Sequence, residues 1–154
     1  MFTEDHPNVE NLKLLYQFVD KKFEDKEDSQ GLNRLVSEPF IAHIPFRSPF
    51  GGDFVGIYAY LDHLRLWKKL SAERPIYDTI KIVANDSCAI STYNINSKFE
   101  KMGSRSSFEG EIVCVWHFLD GKLSEMWETV SNTPCFDSFL FNTSTLFDGD
   151  FIPF

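Results

Sequence analysis

One carboxylate, Glu128, stands in an otherwise apolar pattern near the C-terminal end of the chain. Two β-rich runs between residues 108 and 130 are joined by Asp120-Gly121, a strong hairpin signal. A carboxylate in apolar surroundings has a raised pKa, because its charged form is disfavoured, and it can exchange a proton near neutral pH. We therefore predict that Glu128 is an acid/base group; the alternative is a structural carboxylate paired with a neighbour such as Arg105. Strand alternation places a set of apolar side chains on the same face: Cys114, Trp116, Phe118, Met126 and Val130.

Four more side chains are candidates for the same site. His43 comes shortly before Pro45, and imidazole is the usual general base. Its alternative role is a structural one, hydrogen-bonded to backbone at the end of a strand. Tyr16 lies on the apolar stripe of the first predicted helix, where its hydroxyl either reaches a ligand or packs in the core. Tyr58 and Trp67, on the third predicted helix, are candidates for lining a pocket, with the same alternative.

Other classes of site find no support in the sequence. The three cysteines, at positions 88, 114 and 135, have neither a disulfide framework nor zinc-type spacing. The four histidines are widely separated, and His63, on the third predicted helix, is expected to face solvent. The sequence has no Gly-rich phosphate loop and no nucleophile elbow. We therefore expect a protein with no metal and no cofactor.

Composition and charge narrow the range of partners. The net charge is −8 and no basic stripe is present, so we expect no nucleic-acid partner. No apolar run approaches 18 residues and the N-terminus has no basic, apolar leader, so we expect no membrane partner and a cytoplasmic location. The chain carries 16 Phe, 5 Tyr and 3 Trp, which fill a thick core or line a cavity. A small apolar molecule is the partner that these features favour.

The period of the apolar residues changes along the chain from helical spacing to the alternation of strands. The spacing of apolar residues predicts helices over 8–25, 29–37 and 56–72, and strands over 40–44, 76–84, 87–101, 108–119 and 122–131. Pro39 is expected to end the second helix, with a loop over 45–56 and a turn over 102–107. Helices followed by a meander of strands indicate one α+β domain spanning residues 1–154. Its Phe-rich tail, 132–154, is expected to pack on the domain or on a second subunit.

Two stretches carry a resemblance to a known family. They are the loop PFGGDFVG at 49–56 and, above all, VWHFLDGKLSEMWE at 115–128. They resemble the SnoaL-like group of the superfamily with the nuclear transport factor two fold, over residues 8–131. The resemblance implies a cone: a curved antiparallel sheet of four to six strands wrapped around N-terminal helices, with an internal pocket. This superfamily includes enzymes and non-catalytic modules, so the fold alone does not select a function.

The resemblance assigns a role to each face of the hairpin. In similar proteins the face that carries Glu128 and its apolar neighbours lines the pocket, and SnoaL-like cyclases place an acid/base aspartate at what looks like the Glu128 position. The opposite face often forms a sheet-to-sheet dimer contact, and here it would present Val115, Trp127 and Thr129. A homodimer through this outer face is therefore expected.

Two functions follow from the resemblance. One is a cofactor-free cyclase, isomerase or dehydratase, of lyase or isomerase type, acting on an apolar cyclic ligand with Glu128 as acid/base and His43 and Tyr16 in support. The other is a non-catalytic module that binds a ligand or a protein. Steroid-type isomerase activity is disfavoured, because Ile44 and Cys114 stand where ketosteroid isomerases of this fold have aspartates.

Overall fold

Helices and strands follow one another in the order α, α, β, β, α and then four strands. The structure is a computed structural model that describes residues 1–18, 26–45, 51–70, 80–101 and 104–131; the side chains of 26–29, 66–70, 96–101 and 104–106 lie outside the description. The elements are α1 (Pro7–Phe18), α2 (Lys26–Leu35), β1 (Val36–Ile44), β2 (Gly52–Val55), α3 (Ile57–Leu70), β3 (Lys81–Ala84), β4 (Cys88–Lys101), β5 (Ser104–Leu119) and β6 (Lys122–Val130).

The six described strands form one sheet in the order β2-β1-β6-β5-β4-β3. In a simple meander, all five pairs of neighbouring strands would be antiparallel. Here β1 runs parallel to β6, and the other four pairs are antiparallel. The prediction of a wholly antiparallel sheet is therefore wrong at this one pair. The reason is topological: β1 precedes the meander in sequence yet joins the sheet beside its last strand, and such a crossover permits parallel pairing. The α+β class and the six-stranded sheet with its helices are confirmed.

The helices pack their apolar stripes on one face of this sheet. Helix α1 begins at Pro7, a favoured first residue because its fixed φ suits a helix and its missing N–H is not needed there. Helix α3 follows Gly56, whose φ of 89° suits a residue without a side chain. Rings from both helices, Tyr16 and Tyr60, make edge contacts with Trp116 of β5. These helices and the sheet thus share one core, and we call the sheet face that they cover the inner face.

Several element boundaries differ from the predictions, in each case because strand pairing satisfies the backbone. Helix α2 ends at Leu35, and Pro39 lies inside β1 instead of ending the helix. The predicted loop over 45–56 contains β2, whose backbone pairs with β1 from Ile41↔Val55 to Ile44↔Gly52. The predicted turn over 102–107 is shorter, because the β4–β5 ladder continues to Lys101↔Ser104. Hydrophobic alternation is weak in these segments, so the pattern alone does not reveal the pairing.

The hairpin of β5 and β6 has the predicted turn. Asp120 and Gly121 both have positive φ, 50° and 75°, as a two-residue hairpin loop of the primed type requires. The register shifts once, between His117 and Phe118, where the Ser124 hydroxyl donates to the His117 carbonyl. The predicted alternation is confirmed, since the inner-face set is buried while Val115 and Trp127, on the outer face, are exposed.

Several predicted features lie wholly or partly outside the described residues. They are the end of the first helix (19–25), part of the loop (46–50), the end of the third helix (71–72), the beginning of the strand predicted over 76–84, part of the turn (102–103) and the tail over 132–154. Among the described helices, none has the length and apolar character needed to cross a membrane.

Candidate functional site

A row of three polar side chains crosses the inner face of the sheet. The strand register places Glu128 of β6 opposite Cys114 of β5, and Cys114 opposite Ser91 of β4. Ser91 and Cys114 are fully buried, and Glu128 is 7% exposed. Polar groups are seldom buried unless they are hydrogen-bonded or used, so this row is where the interior can hold chemistry.

Glu128 is the ionisable member of this row. Burial raises the pKa of its carboxyl to about 8, and a hydrogen bond from Cys114 opposes that shift. The Cys114 thiol lies 3.9 Å from Oε2 of Glu128 and donates to it. Arg105, the alternative partner, has its side chain outside the described part of the chain. With a pKa near 8, the carboxyl is largely protonated at pH 7 and is able to give or take a proton at moderate pH.

Aromatic hydroxyls and an indole surround the row. The Tyr16 hydroxyl of α1 lies 3.0 Å from Oγ of Ser91, and the Trp116 indole N–H donates to the same oxygen at 2.8 Å. Tyr16 also makes edge contacts with Tyr93 and Trp116, at ring-centroid distances of 6.1 and 6.0 Å. Burial, and then the charge of Glu128, raise the pKa of Tyr93. The Tyr93 phenol therefore stays protonated and can act as a hydrogen-bond donor.

The predicted pocket-lining residues fall into two groups. The five from the hairpin, named above with Glu128, are buried on the inner face. Tyr58, at the first turn of α3, is 43% exposed and lies outside the buried stripe of that helix. Trp67 belongs to α3, but its side chain is outside the described residues. Whether these side chains enclose a pocket stays a prediction.

His43 lies on the opposite, outer face of the sheet. Its register partner on β6 is Trp127, the neighbour of Glu128, and the two rings stack with centroids 5.1 Å apart. Its Nδ1 and Nε2 each lie 2.7 Å from a carboxylate oxygen, of Asp53 and Glu125 respectively. The hydrogen bond with Glu125 is the largest cause of the raised pKa of His43. Burial, the next largest effect, lowers that pKa, and the hydrogen bond and charge of Asp53 raise it further. The structure thus brings Tyr16 and Glu128 into one interior and leaves His43 outside it.

Sequence reasoning missed Ser91 and Tyr93. The signal that could have found them is the same alternation that singled out Glu128, because Ala89, Ser91, Tyr93 and Ile95 are all buried along β4. A serine among apolar residues on one strand face is a weak signal, since serine is also common on exposed strands. Only the partners of its hydroxyl reveal its role here.

His63 was expected to face solvent, and that prediction is wrong. The side chain is 4% exposed, and burial lowers its pKa to about 4. Its ring lies 4.6 Å from that of Phe54 and 6.4 Å from that of Tyr60. The apolar stripe of α3 is wider than the pattern suggested, because β2 adds Phe54 to the surface against which this helix packs. Within the residues that the structure describes, no three His, Cys, Asp or Glu side chains are grouped to hold a metal ion.

This chain is similar to known proteins in its structure and not in its sequence. No family model and no curated protein matches this chain. Among solved structures, an NTF2-like protein from Burkholderia xenovorans superposes with a TM-score of 0.60 at 18% identity, covering 82% of this chain and 90% of its own. The chain has the NTF2-like fold. The fold implied by the hairpin motif is therefore confirmed.

Two further solved structures that are similar to this chain suggest what some proteins of this shape bind or act on. IdmH, a candidate polyketide cyclase from Streptomyces antibioticus, has a TM-score of 0.57 at 16% identity and covers 88% of this chain and 99% of its own. TerC, crystallised with polyporic acid, has a TM-score of 0.58 at 15% identity, with coverages of 88% and 99%. Identities this low establish a shared fold and leave the chemistry to the residues of each chain.

Proposed function

We propose that this protein binds an apolar cyclic molecule against the inner face of its sheet and moves a proton on it without a cofactor, in a cyclase, isomerase or dehydratase type of reaction. Glu128 is the acid/base group. Tyr16 is an orienting group beside it. The observation that carries the proposal is a buried carboxyl whose pKa is raised to about 8.

The electrostatics of Glu128 favour proton transfer over a structural role. A structural carboxylate inside a protein is paired with a cation or with several donors, because an unpaired buried charge is costly. The donor that the described residues offer to Glu128 is a thiol at 3.9 Å, which is a weak one. A base with a pKa near the working pH is ionised often enough to act and basic enough to remove a proton.

The surroundings of Glu128 favour an apolar ring as ligand. Tyr16, Tyr93 and Trp116 present aromatic edges and faces beside the carboxyl, and such surfaces bind planar apolar molecules well. Structural neighbours support the same class, since IdmH is a candidate polyketide cyclase and TerC was crystallised with polyporic acid. The enolisable ketone of such a ring would supply the proton that Glu128 removes.

Deuterium exchange tests the proposal without knowledge of the natural substrate. α-Tetralone, a bicyclic aromatic ketone, would be incubated with the protein in D₂O, and incorporation at the carbon next to the carbonyl followed by mass spectrometry. We expect exchange that rises with pH through about 8 and falls about 100-fold or more in Glu128→Gln, as is usual when a positioned acid/base group is lost.

Glu125→Gln is the matched control, because Glu125 lies on the same strand but contacts His43 on the outer face. Exchange in this variant should equal that of the unsubstituted protein. Tetralone or polyporic acid that binds tightly with no exchange at any pH, and equally well to Glu128→Gln, would point instead to a non-catalytic binding module. Equal exchange in the two glutamine variants would remove Glu128 from the mechanism.

We further propose that the outer face of the sheet pairs with a second copy of the chain. One row of register partners crosses all six described strands, and its members are Asp53, His43, Trp127, Val115, Ile90 and Val83. Trp127 and Val115, in the middle of the row, are 36% and 37% exposed. Exposed apolar side chains in a continuous band are typical of association surfaces.

Sedimentation equilibrium tests the pairing at micromolar concentration. Trp127→Lys should give a monomer, since a buried charge in the middle of the contact is costly. Leu119→Lys is the control, because Leu119 is 62% exposed beside the hairpin turn, away from that row; it should stay dimeric. An unsubstituted protein that sediments as a monomer would disprove the proposal.

A further inference from the structure

Ser91 is a buried polar residue beside Glu128's row partner Cys114, and the proposed acid/base chemistry does not yet use it. Its side chain is fully buried, and its Oγ receives the indole N–H of Trp116 at 2.8 Å. The same oxygen lies 3.0 Å from the hydroxyl of Tyr16. A serine hydroxyl has one proton and two lone pairs, so these two contacts leave it with limited choices.

The indole of Trp116 fixes the direction of the hydrogen bonds around Ser91. An indole N–H is a donor only, so Oγ of Ser91 must accept from it. Ser91 then gives its own proton either to the Cys114 thiol or to Tyr16. The strand register places Ser91 opposite that thiol, and Ser91 and Tyr16 lower the pKa of the thiol against the larger, opposite effects of burial and of the charge on Glu128. In either arrangement the next acceptor along the row is the sulfur of Cys114.

Cys114 donates the next hydrogen bond of the row, to the carboxyl of Glu128. Burial raises the pKa of its thiol well above the ordinary value, so the thiol keeps its proton and can donate it. Its partner is Oε2 of Glu128, at 3.9 Å. The donors therefore lead from Trp116 to Ser91, then to Cys114 either directly or by way of Tyr16, and on to Glu128. The strand register that pairs Ser91 with Cys114 and Cys114 with Glu128 holds them in line.

We propose that Ser91 is a positioning residue, which relays the donor of Trp116 through Cys114 to Oε2 of Glu128 and so holds that carboxyl in one orientation. The inference rests on the proposed function, because it assigns Glu128 the role that needs orienting. With Oε2 held by the chain, Oε1 is the oxygen that exchanges a proton with the ligand. Aligned hydrogen bonds of this kind also strengthen one another in a low-dielectric interior.

Titration of Glu128 in a ligand-free protein tests the chain of donors. The side-chain carboxyl is followed by carbon-13 NMR in Cys114→Ala, Cys114→Ser and Ser91→Ala. A hydrogen bond to the charged form lowers a pKa, so losing the donor in Cys114→Ala should raise the midpoint of Glu128 by about half a unit. Cys114→Ser supplies a stronger donor and should lower the midpoint. Ser91→Ala should raise it by less than Cys114→Ala.

The indole signal of Trp116 reports on the order of the chain. Ser91→Ala removes the acceptor of that N–H, so the indole proton should move upfield, whereas Cys114→Ala breaks the chain beyond Ser91 and should leave this signal in place. Ser37→Ala is the control, because the Ser37 hydroxyl donates to the Leu123 carbonyl at 3.0 Å in the same sheet without touching the row. It should change neither signal.

The outcomes separate this inference from the proposed function. If Cys114→Ala and Cys114→Ser leave the midpoint of Glu128 unchanged, or if Ser37→Ala moves it as much as they do, the chain does not orient the carboxyl. If Ser91→Ala moves neither the midpoint of Glu128 nor the indole signal of Trp116, Ser91 is not a positioning residue, and Ser91→Cys provides the same test if Ser91→Ala fails to fold. The titration needs no turnover, so persistent tetralone exchange in Glu128→Gln would overturn the proposed function and leave this result standing.

Discussion

The two faces of this sheet raise a pKa by opposite means. On the inner face, Glu128 is buried beside a thiol, and desolvation raises its pKa to about 8. On the outer face, His43 lies between Asp53 and Glu125, and the hydrogen bonds and charges of those carboxylates raise its pKa. The shifts have one direction and different consequences: burial favours the neutral form of the inner group, whereas the two carboxylates favour the charged form of the outer group. Burial without a counter-charge prepares a group for proton transfer, and pairing without burial makes a structural contact.

The comparison is sharpest for Glu128, where the largest effect is expected. Its pKa is about 8 in the folded protein against 4.5 as the ordinary value, so the folded state holds a proton that the unfolded state releases. Stability is therefore lost as the pH rises from about 4.5 through 8. One pKa unit corresponds to about 1.4 kcal/mol, so this loss amounts to several kcal/mol. Glu128→Gln should remove it and be the more stable protein at high pH.

Urea denaturation at pH 5 and pH 9 measures this effect. The gap in unfolding free energy between Glu128→Gln and the unsubstituted protein should open as the pH rises, while Glu125→Gln should show no such gap. A variant that gains stability and loses proton exchange is the pattern expected when a functional residue is kept at a cost to the fold. Parallel pH profiles for the two proteins would mean that Glu128 is not buried in its charged form.

His63 provides the second test, because it is an interior group of the opposite charge type. Its pKa is about 4 in the folded protein against 6.5 ordinarily, so the unfolded state binds the proton first. Stability is lost as the pH falls from 6.5 towards 4, by about 3 kcal/mol in total. His63→Leu should flatten this acid limb. The measurement is the slope of unfolding free energy between pH 6.5 and 4; an unchanged slope would show that His63 is accessible to protons in the folded state.

His43 should show the smallest effect, since it is partly exposed and its partners are screened by water. A raised pKa means that its pairing stabilises the fold fully below pH 6.5 and that this contribution is lost as the pH rises through the folded pKa. The contribution should be about 1 kcal/mol or less. Asp53→Asn and Glu125→Gln should each lower the pKa of His43, the second by more, because its hydrogen bond is the largest cause of the shift.

Proton NMR of the His43 ring follows this last prediction. Thr129→Ala is a suitable control, since Thr129 is exposed on the outer face of β6, the strand that carries Glu125, but is not a hydrogen-bond partner of His43 among the described residues. If neither carboxylate substitution lowers the midpoint, the outer face is not a charge-paired surface and the contrast between the faces fails.

The candidate site was predictable where one strand carries the signal. Alternation along the hairpin identified Glu128 and its buried apolar neighbours, because a two-residue turn fixes the register and one face must be buried. Ser91 and His63 were not found, since their burial depends on partners from distant segments: Trp116 for the first, and Phe54 for the second. The position of His43 shortly before Pro45 predicted that it lies near the ligand. Only the pairing of β1 with β6 shows that this side chain faces outward.

The sequence by itself determined the hairpin, the α+β class and the one carboxylate of the apolar face, because turn chemistry and hydrophobic period are local properties. The tertiary structure decided which groups meet that carboxylate. It joined β4, β5 and β6 in a register that lines up Ser91, Cys114 and Glu128, and it excluded His43 by placing β1 parallel to β6. Apart from the pairing of β5 with β6 across their tight turn, strand partners and their register depend on contacts between residues far apart in the chain, which a local pattern does not reveal.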